Sequence, residues 1–167
     1  MKTIDNVINN LMNAAMLSPL GAKGIYLANE KGLVDCRSIN TTVNNNGSRI
    51  PHERSIAAIQ LLQNCYNELE HLESLFFLYY YGYCNEMLEQ LVSGIAILSE
   101  TEPAIAEYSI KSYCIGNQRL AELAKLLGMT YKQADYKCGK ARGICAMLHQ
   151  SIHARVEDIL IKEKLIE

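Results

Sequence analysis

The sequence predicts an all-α fold, a helical domain with a C-terminal helix-turn-helix, and three observations lead there. The chain is rich in Leu, Ile and Ala, with no Trp and only three Pro, a composition that favours helices over sheets. Apolar residues recur at spacings of three and four through most of its length. Residues 119–148, RLAELAKLLGMTYKQADYKCGKARGICAML, read as a helix, a glycine corner and a second helix. With 167 residues, 49% of them hydrophobic, the chain is large enough for one domain or two small ones sharing a core. Global disorder is excluded on the same grounds.

The first helix is marked by Ile4, Val7, Ile8, Leu11, Met12, Ala15 and Met16, with Thr3 or Asp5 to cap it. SPLGAKG ends it. A flexible basic loop is expected near 21–50, where the Asn-rich run NTTVNNNGSR lies among Lys23, Lys31, Arg37 and Arg49. A long helix is expected from IPHERS onward, Pro51 suiting its first turn. Ile56, Ile59, Leu62, Tyr66, Leu69 and Leu72 would form its apolar face, with Glu68, Glu70 and Glu73 opposite. The aromatic run LFFLYYYGYC suits either the core or an exposed partner patch; core packing is expected, since buried helices are apolar all round. NEMLEQLVSGIAIL (85–98) and PAIAEYSIKSYCIG (103–116) read as two more helices. SIHARVEDILIKEKLIE reads as an amphipathic terminal helix.

Charge divides the chain. Residues 1–110 hold 6 Lys/Arg against 12 Asp/Glu, and residues 111–167 hold 10 against 6. An acidic helical region at 1–110 is thus joined to a basic region at 111–167, which comprises the helix-turn-helix and the terminal helix. Such asymmetry points to nucleic-acid contact by the basic part. The six cysteines form no C-x-x-C pair, so no zinc knuckle is visible. Buried free thiols and a cytoplasmic location are expected. No apolar run is long enough for a membrane span.

Within the corner, Leu120, Leu123, Ala124 and Leu127 form one face, and Ala124 leaves room for a crossing helix. Gly128 permits the left-handed backbone that ends the first helix. Met129 is the expected inward anchor, and Thr130 the cap of the second helix. In that helix Ala134, Cys138, Ala141, Cys145 and Leu148 would face inward. Ala134 stands where Val or Ile is often found. Lys137 stands where a buried apolar residue is common, with Cys138 able to take the inward role. The candidate DNA contacts are Arg119, Lys125, Thr130, Tyr131, Lys132, Gln133, Tyr136, Lys137, Lys140 and Arg142. Side chains near the start of the second helix reach base edges in this motif. Lys suits guanine and Gln suits adenine, while the outer bases suit phosphates.

Residues 113–148, YCIGNQRLAELAKLLGMTYKQADYKCGKARGICAML, resemble the C-terminal region of the late-gene antitermination Q proteins of lambdoid phages. More broadly they resemble the region-four helix-turn-helix of sigma factors. The resemblance implies a phage transcription regulator in a bacterial host. It would bind double-stranded DNA at a late promoter, engage RNA polymerase and its sigma factor, and permit read-through of terminators. The zinc-binding cysteine pairs of one subgroup are missing, which implies a zinc-free subgroup. Two other readings stand beside it: another helix-turn-helix protein, such as a repressor or a small DNA-packaging subunit, or a helical protein-interaction module. Homo-oligomerisation is open.

An enzyme is not expected. His52, His71, His149 and His153 have no nucleophile or carboxylate at a recognisable catalytic spacing. Cys145, His149 and His153 fall in line four residues apart, a spacing that in principle binds a metal. The expected state is a core cysteine beside surface histidines, with no metal, cofactor or catalytic residue.

Overall fold

A computed structural model of the protein describes residues 3–15, 27–29, 32–34, 52–116 and 118–166. Among them seven α-helices follow in order: α1 (Ile4–Ala14), α2 (His52–Asn67), α3 (His71–Gly82), α4 (Leu88–Ser99), α5 (Pro103–Cys114), α6 (Leu120–Leu126) and α7 (Tyr131–Lys162). The fold is all-α, as its composition predicts. Two three-residue strands, β1 (Leu27–Asn29) and β2 (Gly32–Val34), pair antiparallel with Leu27 opposite Val34. They fall where a loop is expected. Three residues are too few to establish an alternating pattern, so the sequence carried no signal for them. The rest of the expected basic loop, with Lys23, Arg37 and Arg49, lies outside the described residues.

Each helix has a local cause. Thr3 caps α1, its hydroxyl accepting the Asn6 N–H at 3.3 Å. Asp5, the alternative cap, is free for another contact. Pro103 occupies the first turn of α5, where its missing N–H costs nothing. Gly94 lets α4 close on α3: a Cβ there would stand 2.6 Å from Cδ1 of Leu72.

The long helix expected from Pro51 is in fact two. The chain breaks at Glu68–Glu70, and α3 starts afresh with Glu70 as its cap. Glu73, expected to face solvent, is buried. Its carboxylate accepts the Glu70 N–H at 2.8 Å and the Ser151 hydroxyl, and it lies 2.9 and 3.1 Å from Nε of Arg155. An N3 carboxylate that reaches back to its own cap is a helix start, and this one also ties α3 to α7. Ile56 is exposed, while Ala58, Leu62 and Cys65 carry the buried face of α2.

The second helix of the corner and the expected terminal helix are one element. α7 runs for 32 residues, about 48 Å, because no Gly or Pro follows Gly143 to stop it. Its buried residues are Ala134, Cys138, Ala141, Cys145, Leu148, Ile152, Val156 and Leu160. Every other α-helix packs on this stripe. From Ala141 onward these residues share a single cluster with Val7, Ile8 and Met12 of α1, Phe76 and Phe77 of α3, and Leu91 and Ile95 of α4. The aromatic run of α3 is core: Phe76, Phe77 and Tyr81 are fully buried. Among the described residues no helix is long and apolar enough to cross a membrane.

Burial raises the Glu73 pKa, but hydrogen bonds from Ser151, the Glu70 N–H and Arg155, together with the Arg155 charge, outweigh it and hold the carboxyl below its ordinary 4.5. A depressed pKa stabilises the fold above the ordinary value, and that stability is lost as pH falls through the folded-state value. Glu73→Gln should therefore cost about 1–3 kcal/mol at neutral pH. Its thermal midpoint should also fall less than that of the parent between about pH 5 and pH 3.

Candidate functional site

The α6–α7 corner is built from a few local choices. α6 ends at Leu126, and Gly128 takes φ 63°, a conformation that burdens any residue with a Cβ. The Met129 N–H donates to the Ala124 carbonyl at 2.9 Å, closing the turn over the buried Ala124. Thr130 then caps α7. Its hydroxyl accepts the Gln133 N–H at 3.3 Å, and the Gln133 amide oxygen accepts the Thr130 N–H at 2.9 Å. This reciprocal box is a strong helix start. Met129 is half-buried, while Ala134 and Cys138 are fully buried. Cys138 therefore takes the inward place beside Lys137. Its carbonyl lies 3.4 Å from Oγ of Ser109 on α5, a close approach that small side chains allow.

The corner brings most of the sequence-predicted contacts onto one solvent-facing region. Tyr131, Lys132, Gln133, Tyr136 and Lys140 lie exposed on the first three turns of α7, with Lys125 exposed on α6 and Arg119 exposed at the residue that precedes it. Tyr136 is 69% exposed and Leu126 79%. Several bases already have acidic neighbours. Lys137 is half-buried against Glu102, and Lys140 lies 3.9 Å from Glu100 and 5.8 Å from the Tyr136 ring centroid. Arg142 pairs with Asp135 at 3.2 Å and Arg119 with Glu122 at 3.1 Å. Lys125 and Lys132 make no ion pair among the described residues. The Gln133 oxygen is turned back onto the cap and away from any groove, which sequence spacing alone does not reveal.

Gly139 and Gly143 lie on the exposed face of α7 in line with Lys132, Tyr136 and Met147. A Cβ at either position would meet nothing within 4 Å. The packing of this chain therefore gives no reason for two helix-weakening residues there.

A second cluster sits at the other end of α7. His149 and His153, expected at the surface beside a core cysteine, turn inward toward α1 and α3. Nε2 of His149 lies 2.9 Å from Oδ1 of Asp5, and Nε2 of His153 lies 3.0 Å from the same oxygen. The Tyr81 hydroxyl also contacts Asp5, and it stands 3.0 Å from Nε2 of His149 and 3.1 Å from that of His153. The Tyr113 hydroxyl meets Nδ1 of His149 at 2.9 Å. Phe76, Tyr80, Tyr81 and Tyr113 surround the His149 ring at centroid distances of 4.7–6.1 Å. Burial raises the Asp5 pKa, but hydrogen bonds from Tyr81, His149 and His153 hold it below the ordinary value. Burial and the Asp5 contact push the Tyr81 phenol up.

Cys145 is fully buried and stays out of this cluster. The sequence signal that existed was the four-residue histidine spacing. Asp5, 144 residues from His149, carried none. Among the described residues Cys65, Cys138 and Cys145 are buried free thiols, and Cys114 is a half-buried one. Comparison with protein-family models, curated proteins and solved structures finds no match to this chain.

Gly139→Ala and Gly143→Ala should each stabilise the protein by about 0.5–1 kcal/mol. Thermal or denaturant unfolding measures this; a loss of stability would mean that the helix needs glycine for its own backbone.

Proposed function

We propose that this chain is a sequence-specific DNA-binding regulator of transcription. Its α6–α7 corner acts as a helix-turn-helix, with the first turns of α7 in the major groove. The observation that carries this reading is the capped corner, from which a long helix emerges with Tyr131, Lys132, Tyr136 and Lys140 facing solvent. Lys132 and Tyr136 are the proposed base-edge contacts. Lys125, Lys140, Arg119, Arg142 and Lys137 are the proposed phosphate contacts. Their present ion pairs are mostly at or near the surface and worth roughly 0–1 kcal/mol each, so exchange for phosphates is cheap. Gln133 has to leave its cap to read adenine, at about 1 kcal/mol, and is proposed as a helix starter first. Gly139 and Gly143 would let a DNA backbone come close to the helix.

The finer reading rests on the resemblance of residues 113–148 to the phage Q proteins. In it the chain engages RNA polymerase and its sigma factor at a late promoter in a bacterial host cytoplasm, and permits read-through of terminators. A second reading, a helical protein-interaction module, is favoured by Ile97 and Leu98, 77% and 53% exposed on α4. The two readings differ in whether DNA is bound at all.

Gel shifts with duplex DNA over a series of salt concentrations test the proposal. The Lys125→Ala/Lys132→Ala double variant should weaken binding and lower the salt slope by roughly one to two units. Lys162→Ala, at the far end of α7, should leave binding unchanged. Absent binding, or binding indifferent to the double change, would contradict the proposal.

A further inference from the structure

The four donor atoms of the Asp5 cluster pose a proton-counting problem. Oδ1 of Asp5, the Tyr81 hydroxyl and Nε2 of His149 and His153 make five close pairs among themselves. Neutral Tyr81 and two neutral imidazoles offer at most three protons to those pairs. Three protons cannot serve five pairs one each, so at least two of the pairs share a donor or have none. Tyr81 is fully buried and the His149 side chain is 13% exposed, while Asp5 and His153, 36% and 29% exposed, form the solvent-facing edge of the cluster. One cation at the centre satisfies all four atoms together.

The geometry fits a small ion. The carboxylate oxygen and the two imidazole nitrogens lie within 4.8 Å of one another. The pairs among the four atoms with ordinary separations span 2.9–3.1 Å. A tetrahedral ion with bonds of about 2.0 Å needs donors about 3.3 Å apart, an opening of a few tenths of an ångström for these four pairs and a larger one for the shorter Asp5–Tyr81 contact. Two imidazoles with oxygen donors and no thiolate are the donor set of a borderline first-row metal ion. The surroundings also suit a ligand site: Tyr113 holds Nδ1 of His149 and so aims Nε2 inward, the arrangement that orients metal-binding imidazoles.

We propose that Asp5, His149, His153 and Tyr81 bind one divalent first-row metal ion, with Zn²⁺ the ion whose tetrahedral preference matches them. Four protein donors make a closed, structural site. The ion clamps the start of α1 to the end of α3 and to the distal half of α7, three segments far apart in sequence. Tyr81 gives up its proton to solvent when it coordinates. The site is independent of the DNA-binding proposal.

Zn²⁺ binding to the chelator-treated full-length chain provides the test, with Co²⁺ as a spectroscopic probe. The expected result is about one ion per chain and a thermal midpoint raised by the metal. The Co²⁺ spectrum should show four-coordinate ligand-field bands without a thiolate charge-transfer band. His153→Gln, at the more exposed histidine, should weaken Zn²⁺ binding by about tenfold or more, with the metal-free midpoint little changed. Tyr113→Phe, which leaves every ligand in place, should also weaken it by about tenfold. Tyr81→Phe should leave weaker binding to the remaining three ligands. No bound metal, a thiolate band, or affinity unchanged in both His153→Gln and Tyr113→Phe would overturn the proposal.

Discussion

The buried stripe of α7 is the constraint on which the rest of the structure depends. It begins with small residues, Ala134, Cys138, Ala141 and Cys145, and continues with large ones, Leu148, Ile152, Val156 and Leu160. Small side chains bring α5 and α6 close to the first half of the helix, where Ser109 reaches the Cys138 carbonyl. Large ones fill the wider space among α1, α2, α3 and α4 around the second half. A single amphipathic helix thereby serves two kinds of packing, and its outward face is left to solvent along its length.

That gradient also explains which parts were legible in the sequence. The helical class follows from composition and apolar spacing along the chain, and the cap at Thr130 and the left-handed Gly128 each follow from one or two residues acting locally. The aromatic run of α3 was readable as core because it is apolar all round. The break before α3 was misread because Glu73 looks like a surface residue until its partners appear. Those partners, Ser151 and Arg155, lie 78 and 82 residues away. The continuity of α7 was hidden for the opposite reason: the change from small to large inward residues resembles the end of one helix and the start of another. The histidine cluster needed Asp5, which only folding brings to the far end of α7.

The two ends of α7 therefore carry different chemistry. The first turns present Tyr131, Lys132, Tyr136 and Lys140 to solvent beside the α6 bases. Some eighteen residues later, roughly 27 Å along the axis, His149 enters the cluster that joins three helices. Because both ends belong to one helix, the hydrogen-bonded cluster at the distal end holds the same element whose first turns are proposed to meet DNA. The ion pairs at the near end are half-exposed and weak, whereas the Glu73–Arg155 contact sits beside the core. Rigidity is thus concentrated where the helix is anchored, and exchangeable contacts where it is proposed to bind.

The central claim is that DNA is met by the α6–α7 corner. At 18.7 kDa the chain is small enough for its amide signals to be followed individually. Titration with duplex DNA should shift the signals of residues 119–143 most, with α1 and α3 largely unmoved. Shifts confined to α4 around Ile97 and Leu98, or none at all at low salt, would contradict the account.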